Sequence, residues 1–173
     1  MNIKRPKRED ITPSFHRYFD LVQGDDILNI LNEVHDATNN ILKDTPIHLE
    51  DFRYASDKWT LKEVMCHLIS SENYFCDLAL RITKDQNSRP ISYSLEKYEM
   101  KKNAYKSLNK ILNDFDQARS ATIDFLNSFD PELIGKIQTI NENQYSPAGI
   151  GYIIAGHEIH HLNIIKEKYL SEI

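Results

Sequence analysis

Trp59-Thr60-Leu61-Lys62-Glu63-Val64-Met65-Cys66-His67 is the stretch on which the fold turns. Thr60 followed three residues later by Glu63 makes a capping box, in which the threonine side chain takes the Glu63 N–H and the Glu63 side chain takes the Thr60 N–H. Trp59, just ahead of the cap, can staple onto Val64 one turn in and so fix the entry angle of the chain. A helix therefore starts here, and its pattern runs to about Thr83. On it, His67 follows Val64 by three residues and precedes Ser71, Tyr74, Leu78 and Arg81 by four, seven, eleven and fourteen. These positions fall within about 40° of one line along a helix, so His67 shares the face that packs inward.

Working outward, three more segments carry helical periodicity. Upstream, Ile27, Ile30, Leu31, Val34, Ile41 and Leu42 mark one apolar face between about Asp25 and Lys43, closed by Asp44-Thr45-Pro46. Downstream, Leu108, Ile111, Leu112, Phe115, Ala118, Phe125, Leu126 and Phe129 follow a cap at Ser107 and stop at Asp130-Pro131. The last segment opens at Ser146-Pro147, a cap residue with proline at the first helical position. It continues through Ile150, Ile153, Ile154, His157, His161, Ile164 and Lys168 to about Tyr169. Gly149, Gly151 and Gly156 within it each cost about 1 kcal/mol relative to alanine, and their use is close approach of a neighbouring helix. No alternating strand run stands out between the segments, and Gln86 to Tyr93 reads as loop. The expectation is an all-α four-helix bundle with long connecting loops, some of them crossovers, in which the loops supply the walls of a site. Residues 1–173 read as one domain, with 1–16 an irregular lead.

Composition narrows the function. The net charge is −5, so the chain offers no counterion-releasing surface for nucleic acid. Its basic cluster, Lys4-Arg5-Pro6-Lys7-Arg8, reads as a solvated tail. No apolar run reaches the roughly 18 residues of a membrane span, and the basic N-terminus lacks the apolar segment of a secretory signal. Cys66 and Cys76 lie ten residues apart on one helix, about 15 Å along its axis, too far for a disulfide. Two unpaired thiols fit a reducing compartment, so a cytoplasmic location is expected. Cys66 reads as a small buried residue.

His157-Glu158-Ile159-His160-His161 carries the chemistry. Residues four apart stand one above the other on a helix, so His157 and His161 can grip one metal ion. The letters also fit the zinc-protease pattern H-E-x-x-H, with Glu158 as general base. That pattern needs a third ligand further downstream, yet only 12 residues follow His161, and none is His. Glu167 faces roughly the opposite side, and Glu172 lies near the chain end. The third ligand must come from upstream, among His16, His35, His48 and His67. His16 precedes the first helix, His48 sits in the loop after Pro46, and His35 is about 100° off its apolar stripe. His67 faces the interior. Neutral imidazoles suit zinc, nickel or another late divalent ion, and three protein ligands with an open position is the catalytic zinc pattern. His160 stays open as an alternative partner of His157 at three residues' spacing. Tyr74 and Arg81, in line with His67, are weak catalytic candidates beside Glu158, whose reading as an outer-layer or surface residue outweighs that of a base. Tyr18, Phe19, Trp59 and Tyr145 are candidates for pocket walls or core.

The run from Tyr54 to Glu72 resembles the first signature of the DinB-like superfamily, which includes YfiT-like proteins, and Ala155 to Ile165 resembles its second. Ser94-Leu95-Glu96-Lys97-Tyr98 and Phe115-Asp116-Gln117-Ala118-Arg119 resemble its connecting segments, so the likeness spans roughly residues 17 to 171. It implies a four-helix bundle, often a homodimer, that binds one divalent metal through His67, His157 and His161 and leaves His160 outside the ligand set. It also implies an enzyme: a transferase joining a low-molecular-weight thiol such as bacillithiol or mycothiol to an electrophile, an isomerase using such a thiol, or a hydrolase. A non-catalytic metal-binding bundle of a stress response, or a purely structural dimer, is the bland counterpart.

Overall fold

The computed structural model describes residues 3–84, 107–140 and 142–171. Four long helices form its body: α1 (Ile27–Leu42), α2 (Leu61–Thr83), α3 (Leu108–Asn127) and α4 (Pro147–Ile164). Each starts where its sequence says it should. Asp26 accepts from the Asn29 N–H, Thr60 and Glu63 close the capping box, Ser107 caps α3, and Ser146 with Pro147 opens α4. The α3 helix ends at Asn127, short of Phe129, and Asp130 instead caps a further helical turn, Pro131–Ile134. Gln86 to Tyr93 and Ser94 to Tyr98 lie outside the described residues, as does Glu172.

Of the chain neighbours, only α2 and α3 pack extensively side by side. The α2 helix packs on α3 and α4, α1 packs on the same two, and the α1–α2 and α3–α4 pairs face each other across diagonals. Both connections α1 to α2 and α3 to α4 therefore cross the end of the bundle. One of them carries a feature the sequence reading lacked, an antiparallel hairpin of Gln138–Ile140 (β1) with Asn143–Tyr145 (β2). Its strands are three residues long, too short to show alternation, and Glu142 takes the left-handed φ of 66° at the turn.

Two apolar clusters fill the bundle. One holds Ile27, Leu31, Phe75, Leu78, Leu126 and Ile154; the other holds Leu42, Leu61, Met65, Leu108, Phe115 and Ile165. The N-terminal halves of α2 and α3 share the second cluster with the C-terminal ends of α1 and α4, so α2 and α3 run together and antiparallel to the other two. Between the clusters lies a polar layer. It contains Thr38 of α1, Glu72 of α2, Arg119 of α3 and Glu158 of α4, all buried, together with His157.

The N-terminal lead is not the solvated tail its charges imply. Ile3 and Ile11 are buried in the first cluster, which folds the basic run onto the bundle. Arg5 donates to the Gly24 carbonyl at 2.8 Å and the Val22 carbonyl at 3.0 Å, and its guanidinium lies 4.5 Å from the Phe19 ring centroid. The helical turn His16–Phe19 then seats on α4. A Cβ on Gly156 would run into the Tyr18 backbone carbonyl, so glycine there is what allows this approach. At Gly149 and Gly151 the neighbours are side chains of Ile11, Ile27 and Leu126 rather than another helix's backbone.

Past Ile164 the backbone widens into a π-turn, Ile165–Tyr169. The extra residue shifts the register. Lys168, expected on the inner stripe, is exposed and pairs with Glu167 at 2.6 Å, while Tyr169 takes the buried place.

Candidate metal centre

His67 comes from α2, and His157 and His161 from successive turns of α4, the helix beside it. The His157 Nε2 stands 3.1 Å from the His67 Nε2 and 3.1 Å from the His161 Nε2, and the three ring nitrogens all lie within 4.8 Å of one another. Nitrogens about 2.0–2.1 Å from a shared ion stand ~2.8–3.4 Å apart at octahedral to tetrahedral angles, so the two 3.1 Å separations fit one first-row divalent cation. Ring chemistry points the same way. A neutral imidazole has one N–H and one lone pair, and three rings that turn the same nitrogen to a common point cannot all satisfy one another. A cation at that point accepts three lone pairs at once.

Electrostatics keeps those lone pairs free. Burial pushes the His157 imidazole down to about 2, and the neighbouring His161 and His67 rings add to the effect. Burial, then His67, holds His161 at about 3. His157 and His161 are thus neutral at neutral pH, the state in which imidazole ligates.

Aromatic packing fixes the ring orientations. Trp59 lies against His67 with centroids 4.7 Å apart, and Tyr18 meets His157 edge-on at 5.0 Å. The Ser71 hydroxyl is 3.5 Å from the His67 Nδ1. His160 stands outside the triad, half-buried, with its ring 5.4 Å from Tyr18 and 5.1 Å from His161. Burial, and then Arg17, lower its pKa.

His161 opens onto a cleft of about 170 Å3 walled by Tyr54, Lys58, Trp59, Val64, Ile164 and Tyr169, with Asp57 at its lip. The π-turn brings Tyr169 to this wall, where its hydroxyl donates to the Trp59 carbonyl at 2.6 Å. Burial, with Tyr54 next, pushes the Tyr169 phenol up to about 12. Asp57 and Lys58 pair with each other at 2.6 Å.

A model of the DinB superfamily matches residues 30–165. The chain belongs to the DinB superfamily. Among solved structures, this DinB-superfamily protein is similar to one described as "YfiT from Bacillus subtilis is a probable metal-dependent hydrolase with an unusual four-helix bundle topology". The TM-score is 0.73 at 16% identity, over 95% of this chain and 91% of that one. At that identity the likeness shows the fold. A comparison with curated proteins finds no match.

Other residues singled out from the sequence fall elsewhere. Tyr74 packs on Phe75 beside the first apolar cluster, and Arg81 lies fourteen residues along α2 from His67, roughly 21 Å by helix rise. Phe19 and Tyr145 are core. His16 Nε2 bonds the Ile11 carbonyl, His48 is exposed, and His35 is buried against Asp116 at 2.8 Å. Cys66 is buried, as expected, and neither cysteine is in a disulfide. Cys76 bonds Thr122, and burial pushes its thiol up to about 11. No described helix is long and apolar enough to cross a membrane.

Glu158 is neither at the surface nor on the triad. Its Oε1 takes the Thr38 hydroxyl at 2.6 Å and its Oε2 takes Arg119 at 2.7 Å. Burial pushes its pKa up, while Arg119 and Thr38 pull it back. Sequence reasoning overlooked its partners Glu72 and Arg119. A signal for them existed: Arg119 lies four residues after Phe115 and seven before Leu126, and Glu72 four after Leu68, so both charges interrupt apolar stripes.

Proposed function

We propose that this protein is a metal-dependent enzyme that activates a low-molecular-weight thiol for transfer to an electrophilic substrate. The observation that carries the reading is the triad's position. Three imidazoles converge and one of them, His161, lines a cleft, rather than sitting in a closed cage with a fourth protein ligand among the described residues. Held by His67, His157 and His161, a divalent ion such as zinc or nickel would supply Lewis acidity to a thiol or a water in its open position.

The chain's own residues do the rest. Uncharged His157 and His161 would leave the cation's charge undiminished toward an anionic thiolate. Trp59, Tyr54 and Tyr169 form an aromatic wall that shields the reacting atoms from solvent and accepts an apolar electrophile. Lys58 and Asp57 neutralise each other at the lip, which favours an uncharged group there.

Thiol transfer is preferred over hydrolysis because of Glu158. Both of its oxygens are engaged with α1 and α3, which supports a structural rather than a base role. A thiol, with an ordinary pKa near 8.5, needs far less help to lose its proton than water at 15.7. Hydrolysis, the activity named for YfiT, is the competing outcome. A homodimer and a cytoplasmic location belong to the same proposal, the dimer being read by light-scattering mass.

The test is a thiol panel. Metal-loaded protein is incubated with bacillithiol, glutathione, mycothiol or coenzyme A and a haloarene, and conjugate is measured by mass spectrometry. Conjugation with one thiol, lost on metal stripping, is expected. Rates equal to the stripped control with every thiol would overturn the transferase reading.

A further inference from the structure

The polar layer holds a second set of buried ionisable side chains that the thiol chemistry leaves unused. Arg119 is 2% exposed, Glu72 3% and Glu158 1%. The Arg119 Nε and Nη2 donate to the two oxygens of Glu72, each at 2.9 Å. Its Nη2 also donates to Glu158 at 2.7 Å, and its Nη1 to the Leu31 carbonyl at 2.7 Å. Thr38 completes the set through its bond to Glu158. Every helix of the bundle contributes one side chain.

The set is built around the two helices that carry the histidines. Glu72 lies five residues after His67 on α2, and Glu158 directly follows His157 on α4. Arg119 ties the two carboxylates together from α3, a bidentate fork on one and a single bond on the other, and a guanidinium holds such geometry rigidly. Arg119 therefore ties α2 to α4 at this level, and the separation of these two helices is what the three ligating nitrogens must span. A small void of about 10 Å3 is lined by His157, Glu72, Arg119 and Glu158 together with apolar side chains such as Leu68 and Phe115. The network thus borders directly on the ring at the centre of the triad.

We propose that Arg119 is a positioning residue of the metal centre: by bridging Glu72 to Glu158 it fixes the spacing of α2 and α4 at which His67, His157 and His161 converge. This rests on reading those three histidines as the ligands. A network that served stability alone would leave the affinity of the folded protein for metal untouched. One that positions the ligands changes it: partners hydrogen-bonded to metal-bound histidines typically shift affinity by about 10- to 100-fold, and a network acting through helix spacing is expected at the low end of that range.

The experiment measures zinc affinity by chelator competition, and the Co2+ absorption spectrum, for the parent, Arg119→Lys and Glu158→Gln, at a temperature where circular dichroism shows each metal-free protein folded. Arg119→Lys keeps the charge but loses the fork, and is expected to bind zinc at least tenfold more weakly with an altered Co2+ spectrum. Glu158→Gln keeps the side-chain shape and is expected to weaken zinc in the same direction. Should Arg119→Lys not fold, Glu158→Gln decides by the same criterion. Affinities within threefold of the parent and an unchanged Co2+ spectrum would overturn the proposal. His161→Ala is the control: if it still binds one zinc at parental affinity, the ligand assignment has failed rather than the positioning role.

Discussion

In the middle layer of the bundle, Arg119 meets two carboxylates, whereas His157 meets two other imidazoles. Both groups are buried, polar and shared between helices. The first is self-sufficient: burial works against the Arg119 charge, but Glu72 and Glu158 outweigh it and hold its pKa above the ordinary value. The second is not. Its rings carry like atoms toward one point, and burial together with mutual proximity keeps His157 and His161 from protonating. A buried polar group that its neighbours satisfy is architecture; one whose neighbours present the same donor atom is a receptor for something else.

If the contrast holds, breaking the first group costs stability of the metal-free protein as well as metal affinity, whereas breaking the second costs binding with far less loss of stability. The largest effect is expected for Arg119→Met, which leaves two buried carboxylates without their cation and should destabilise the metal-free protein by about 3–5 kcal/mol in urea unfolding. His157→Ala, measured the same way, should cost clearly less. Equal losses would erase the distinction.

Acid sharpens the comparison. The unfolded histidines titrate near 6.5, whereas folded His157 and His161 do so at about 2 and about 3. Between those values the unfolded chain binds more protons. Stability of the metal-free protein is therefore complete above pH 6.5 and falls as pH drops toward 3, by up to about 1.4 kcal/mol per pH unit for each ring. Thermal unfolding from pH 7 to pH 4 checks this, and the slope should shrink in His157→Ala. The smallest effect concerns the cleft. Tyr169→Phe leaves the Trp59 carbonyl without its 2.6 Å partner and should cost about 1 kcal/mol, while zinc affinity stays within twofold. A large loss of affinity would mean that the wall and the triad are not separable.

How much of this the sequence carried follows from physics. Caps and apolar periodicity are local, so Thr60-Glu63, Ser107 and Ser146-Pro147 placed three helix starts correctly, and the inward faces of His67, His157 and His161 came with them. Family resemblance then removed His160. What is not local was not legible. The diagonal placement of α1 against α2 and of α3 against α4 depends on how loops cross the bundle ends. The π-turn, which exchanges Lys168 for Tyr169, rests on a single unwound residue. The Glu72–Arg119–Glu158 network needs three helices brought together before its charges stop looking like surface. Glu158, attractive as a protease-type base while only its neighbours in sequence were in view, changes meaning once its carboxylate is seen to point at Arg119.

The most direct test of the central claim is the metal content of the purified protein and of His161→Ala after equilibration with zinc and gel filtration, with helicity measured in parallel. About one ion per parental chain and close to none in the variant, at unchanged helicity, is the predicted result. Equal zinc content in the two would contradict the three-histidine centre.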